Sequence, residues 1–164
     1  EAAGALNVAA FDVPARIETM LDDIATLQKE LATRASAGQL SAETLLESAE
    51  KISGATVIVA EAPGGNPNLM RQLIDQIRRK VSPAAVLLAA RQGDDKVALV
   101  AGVTSDLVER GVSAGDWIRD VAAIVGGSGG GKPDMAQAGG KDPAKLPEAL
   151  DAARKKIAAM LAKT

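Results

Sequence analysis

Residues Gly126 to Gly140 read GGSGGGKPDMAQAGG, and no other part of this chain restricts its fold so strongly. Glycine loses more freedom on folding than any other residue, so a glycine run broken only by Ser128 is costly to order. Such a run is kept where backbone must approach something closely, often a phosphate. Gly126, Gly131 and Lys132 even satisfy the G-x-x-x-x-G-K spacing of a nucleotide-binding P-loop. Two features argue against a working NTPase site. Pro133 stands where Ser or Thr would hold magnesium. The preceding residues 116–125 place Ile118, Val121, Ala122 and Val125 at helical spacing, where a P-loop needs a buried strand. A flexible linker is the plainer alternative, but linkers repeat Gly and Ser, and this stretch runs on into Lys, Pro and a non-repeating tail.

The core around this stretch has to be aliphatic, because Phe11 and Trp117 are the only aromatic residues. The chain has no Cys and no His, which excludes disulfides, thiol nucleophiles, imidazole bases and His/Cys zinc sites. No apolar run reaches membrane-spanning length and nothing resembles a signal peptide, so a cytoplasmic protein without membrane partners is expected. The chain starts at Glu1 without Met, as a piece of a larger protein would. Charge divides it. Residues 1–53 carry four basic and nine acidic side chains, whereas residues 54–164 carry fifteen basic and twelve acidic. Binding of a polyanion belongs, if anywhere, to the second part.

Periodicity divides the chain at the same place. Asp12 and Pro14 can open a helix whose Ile17, Met20, Ile24, Leu27 and Leu31 form a short heptad seam, ended by Gly38. Ser41 caps a second helix carrying Leu45, Leu46, Ala49 and Ile52 on one face, with Gly54 after its end. Residues 1–53 therefore read as a helical hairpin arm, whose seam either packs internally or dimerises. Residues 54–164 read as an α/β body with a small mixed β-sheet. Thr56–Ala60 is a first strand, 68–81 an amphipathic helix, Ala84–Ala90 a second strand and Lys96–Val103 a third. The turn Gln92–Asp95 is too short for a parallel crossover, so the second and third strands form a hairpin. The first and second, joined through a helix, should be parallel. A short helix near Ser105–Arg110, the Trp117 helix, the glycine stretch and a last helix from Pro143 complete the body. Pro133 is expected to open a short helix through Met135 to Ala138.

No catalytic constellation is present. Asp94-Asp95 lies in a hairpin turn, Asp22-Asp23 on a solvated helix side, and Ser128 has no base. The basic clusters Arg71, Arg78, Arg79, Lys80 and Arg154, Lys155, Lys156 read first as solubilising helix faces. The better phosphate candidates are Gly129, Gly130 and Gly131 with Lys132, Lys141 and Lys145, followed by Arg71, Arg78 and Arg79. Without aromatic platforms, recognition of a folded RNA by shape and backbone is favoured over reading of stacked bases.

The tail of the motif, KPDMAQAGG, resembles the glycine-rich signature near the C-terminus of alanyl-tRNA synthetases, in the DHHA1 domain that they share with DHH-type phosphoesterases. That family usually has Arg before the Pro; Lys132 keeps the charge and loses the bidentate fork. The resemblance implies a DHHA1-like α/β fold after a helical arm. It implies a non-catalytic C-terminal domain that grips the elbow of tRNA(Ala) and supports aminoacylation and editing by an alanine–tRNA ligase. ATP, magnesium and zinc would belong to the catalytic and editing domains of that parent, with no cofactor in this piece, and the arm would dimerise in some members. Two other readings stay open: the substrate-binding domain of a DHH-type phosphoesterase, whose loops usually carry His at the place of Lys132, and a structural oligomerisation module.

Overall fold

The computed structural model describes residues 17, 19, 21–24, 26 and 40–163. The chain forms two compact units, Glu1–Ala35 and Ser36–Thr164. In the first, the described positions are helical, and Ile17, Leu21 and Ile24 are exposed. The other expected seam residues, Met20, Leu27 and Leu31, with the start at Asp12 and Pro14 and the end at Gly38, lie outside the described residues.

The second unit opens with helix α1 (Ala42–Glu47), capped by Ser41, whose Oγ accepts from the Thr44 N–H at 3.1 Å. This helix stops six residues in, before the expected Ala49 and Ile52. Residues Glu50–Ile52 instead form a strand, β1, antiparallel to β2 (Ala55–Glu61). Ser53 and Gly54 join them at φ 50° and 80°, a two-residue turn with both central residues left-handed, which matches strand twist. Gly54 thus turns a hairpin and does not end a helix. Ala42 and Leu45 are buried with the body's core. The place where the charge balance reverses therefore sits inside a hairpin, and the division between compact units falls between Ala35 and Ser36.

After β2 the chain runs through helix α2 (Pro67–Lys80), β3 (Ala84–Arg91), β4 (Val97–Val103), short helix α3 (Ser105–Glu109), helix α4 (Ala114–Ile124), β5 (Ser128–Gly131), β6 (Met135–Gly140), a 3-10 turn (Pro143–Lys145) and helix α5 (Leu146–Ala162). The strands form one mixed sheet in the order β1-β2-β3-β4-β6-β5. As expected, β2 and β3 are parallel through α2, and β3 and β4 form a hairpin. Strands β3, up to Arg91, and β4 are buried on both faces, as their near-continuous apolar runs require. One face packs against α1 and α2 through Ile58, Met70, Ile74, Ile77, Leu88 and Val100. The other packs against α4 and α5 through Leu87, Leu99, Trp117, Ile118, Leu146 and Ile157. Trp117 is fully buried and its indole N–H donates to the Ala153 carbonyl at 2.9 Å, tying α4 to α5. Gly102, next to the last residue of β4, lets α2 close on the sheet: a side chain there would collide with the Ile74 Cγ2 methyl.

The glycine stretch is not a loop followed by a helix. It is the hairpin β5–β6, antiparallel, with Gly130 opposite Gln137 and Ser128 opposite Gly139. Strand β6 pairs in turn with β4, Val100 opposite Gln137. The helix expected from Pro133 to Ala138 is thereby overturned. Ladder bonds on both sides of β6 and burial of Ala136 outweigh the helical preference of Met, Ala and Gln.

Candidate nucleic-acid interface

The hairpin is built by steric exclusion. A side chain at Gly129 would overlap Ala138, and one at Gly131 would meet the Ala136 Cα at 2.7 Å. Gly115, at the start of α4, lies close to the Gly131 carbonyl, its added Cβ 3.1 Å from that oxygen. These glycines let α4 lie flat on β5 and β6. Gly130 differs: nothing stands within 4 Å of the side chain it lacks. Its neighbour across the ladder, Gln137, faces α2, and so do Met135 and Gly139 two residues to either side. The α2-side face of the hairpin therefore carries Ser128, Gly130, Gln137 and Gly139, and no bulky group beyond Met135.

The turn between the strands is held from two sides. The Pro133 carbonyl accepts from the Ala114 N–H at 2.8 Å, and the Asp134 carbonyl from the Val103 N–H at 2.9 Å. Lys132 stands exposed at this turn, its backbone N–H donating to the Met135 carbonyl. With no helix starting at Pro133, no helix dipole adds to the Lys132 charge.

Helix α2 packs over β3 and β4, and its arginines reach β6 and the turn before it. Arg71 Nη2 donates to Gln137 Oε1 at 2.6 Å, and Arg78 lies 3.8 Å from Asp134 and 3.6 Å from Asp75. The spacing Arg71, Asp75, Arg78 puts all three on one helix face. The two arginines are not equivalent. Arg78 shares its charge with two carboxylates, while Arg71 is bonded to a neutral amide and has no carboxylate partner among the described residues. Arg79 is exposed and makes no ion pair among the described residues.

Between α2 and the hairpin runs a trough of about 560 Å³ over Ser128, Gln137 and Gly139, walled by Asn68 and Arg71. It joins, through Val97, Ser128 and Gly139, a second hollow of about 650 Å³ bordered by Gln92, Lys96 and Lys141. Among the described residues three cations, Arg71, Lys96 and Lys141, line the two together, and no carboxylate does. Lys96, Gln137 and Ser128 were not singled out by sequence as binding residues; the ladder register brings Gln137 and Ser128 to the trough that Arg71 walls, and Lys96 borders the adjoining hollow. Lys132 and Lys141 are placed at opposite ends of β6, about 20 Å apart at strand rise. Lys145 closes the 3-10 turn leading into α5, which covers the opposite face of the sheet. Among the described residues no group of His, Cys, Asp and Glu could hold a metal, and no helix is long and apolar enough to cross a membrane.

This sheet with its glycine hairpin is that of a DHHA1 domain: the DHHA1 domain family matches residues 54–159, and the chain belongs to it. A crystal structure of the C-Ala domain from Aquifex aeolicus alanyl-tRNA synthetase superposes with a TM-score of 0.60 at 34% identity, covering 69% of this chain and 96% of that one. Within the DHHA1 family the chain accordingly belongs to the C-Ala domains, the C-terminal domains of alanine–tRNA ligases. The alanine–tRNA ligase of Rhodopirellula baltica is 53% identical over 150 residues, covering 91% of this chain and 16% of the relative. That of an Acidovorax species is 46% identical over 155 residues, covering 93% and 17%. The chain thus spans about a sixth of the length of these relatives.

Proposed function

We propose that this domain is the tRNA-holding part of an alanine–tRNA ligase, and that it carries no catalysis of its own. The parent would join alanine to tRNA(Ala) in the cytoplasm, with ATP, magnesium and zinc used by its catalytic and editing domains. This domain would grip the tRNA elbow and keep the tRNA on the enzyme through aminoacylation and editing. The observation that carries the reading is the trough: among the described residues it is lined by three cations and no carboxylate, it is bare at Gly139, and Gly130 lies on the same open face of the hairpin. Neither glycine is demanded by packing, since Gly130 meets nothing within 4 Å and Gly139 only the Val97 carbonyl at 3.8 Å. A sugar–phosphate backbone needs such a surface, positive and free of protruding side chains. Lys132 at the turn and Arg79 on α2 extend the positive margin. The helical arm would add a dimer seam through Ile17, Leu21 and Ile24, which lie on one helical stripe and are exposed.

Titration of the 164-residue chain with tRNA(Ala), an unrelated tRNA and duplex DNA at several salt concentrations tests this. Both tRNAs should bind more tightly than duplex DNA, and binding should weaken with salt along a log–log slope of about −2 to −3, as for the three trough cations. Absence of tRNA binding at low salt would sink the reading.

A further inference from the structure

Gln137 is the one long side chain on the bare face of the hairpin that packing does not explain: it is exposed, while Ala136 beside it is buried. Its amide has a fixed orientation. A guanidinium only donates, so the oxygen of the amide must be the atom turned to Arg71, and Arg71 Nη2 does donate to Oε1 at 2.6 Å. Among the described residues the amide nitrogen has no partner for either N–H group. Arg71 keeps further N–H donors and has no carboxylate partner among the described residues, and Ser128 adds a hydroxyl across Gly139. Donors and positive charge therefore converge over backbone that Gly130 and Gly139 leave uncovered.

Resting on the tRNA reading above, we infer that Arg71 and Gln137 form a clamp for one phosphodiester of the RNA. Gln137 is its specificity-determining residue: it offers donors to the non-bridging oxygens and keeps the Arg71 charge free, as a carboxylate at the same place would not. A guanidinium beside an amide of set orientation admits an acceptor and rejects a donor, which makes this contact blind to base identity.

Two variants separate this clamp from a mere clasp between α2 and β6. Gln137→Glu keeps the length of the side chain and turns the contact with Arg71 into an ion pair, removing the donors and the free charge together. Its affinity for tRNA(Ala) should fall about tenfold, and its salt slope should become shallower by about one. Gln137→Ala removes the donors and leaves the charge of Arg71, so affinity should fall by less and the slope should stay. Arg71→Ala serves as reference, and thermal melts establish that each variant is folded. If both Gln137 variants bind with wild-type affinity and slope while Arg71→Ala is weakened, the pair is a clasp only and the inference is overturned, with the tRNA reading intact. Equal losses at unchanged slope would place a base edge, not a phosphate, in the clamp, and also overturn it. Failure of the wild type to bind any tRNA would remove the reading and the clamp together.

Discussion

At the scale of single residues, the glycines of one hairpin do different work. Gly129 and Gly131 are excluded volume, held by the Ala138 and Ala136 backbone opposite them. Gly130, between them, has open space on its side. Gly129→Ala is expected to destabilise the domain by about 1–3 kcal/mol, as overpacked sites do. Gly130→Ala should leave stability unchanged or raise it by about 0.4–1 kcal/mol, through lost freedom of the unfolded chain. Gly130→Glu should fold and lose tRNA affinity. Chemical denaturation of the three variants, with a tRNA titration of the folded ones, checks this; a collapse of Gly130→Ala would show that the open face is packed after all. The sequence alone could mark all of these glycines but could not rank them, because the difference lies in which face of the ladder each occupies. Arg71 and Gln137 are a similar case: 66 residues separate them, and no local pattern announces their bond.

At the scale of elements, most of the body is legible, since long apolar runs and amphipathic periods are dictated by burial. The strands β2, β3 and β4, their pairing sense, and α2, α4 and α5 all follow from such patterns. Two elements do not. Strand β1 has three residues and no alternation to betray it, and the helical spacing of Leu45, Leu46, Ala49 and Ile52 runs straight across its start. Strand β6 is made of Met, Ala, Gln and Gly, which carry little strand preference; its form is imposed by β4 and β5 on either side. The arm is the element whose role is open to direct measurement. Ile24→Asp places a charge in the exposed apolar stripe. Light scattering should show a dimeric wild type and a variant of half the mass, with the body's thermal transition unchanged. A wild type already monomeric would refute the seam.

At the scale of the whole molecule, the compact unit Ser36–Thr164 has its own two-faced core, and the family match lies within it. A chain beginning at Ser36 should therefore melt cooperatively and bind tRNA with the affinity of each protomer of the full chain. Circular dichroism melts and titration of that truncation check both, and a broad non-cooperative melt would show that the first unit is needed for folding. Among its described residues this unit has no metal-holding cluster, and the tRNA-holding role proposed for it rests on the trough. One buried position governs how well it could hold. Gly102 touches no ligand surface, yet it sets how deeply Ile74 and the rest of α2 settle onto the sheet, and α2 is the wall that carries Arg71. Any larger residue there would press on Ile74 and shift that wall. A change in the middle of the sheet would then read, in an assay of the enzyme, as a loss of grip on the nucleic acid, and would be mistaken for damage to a contact residue.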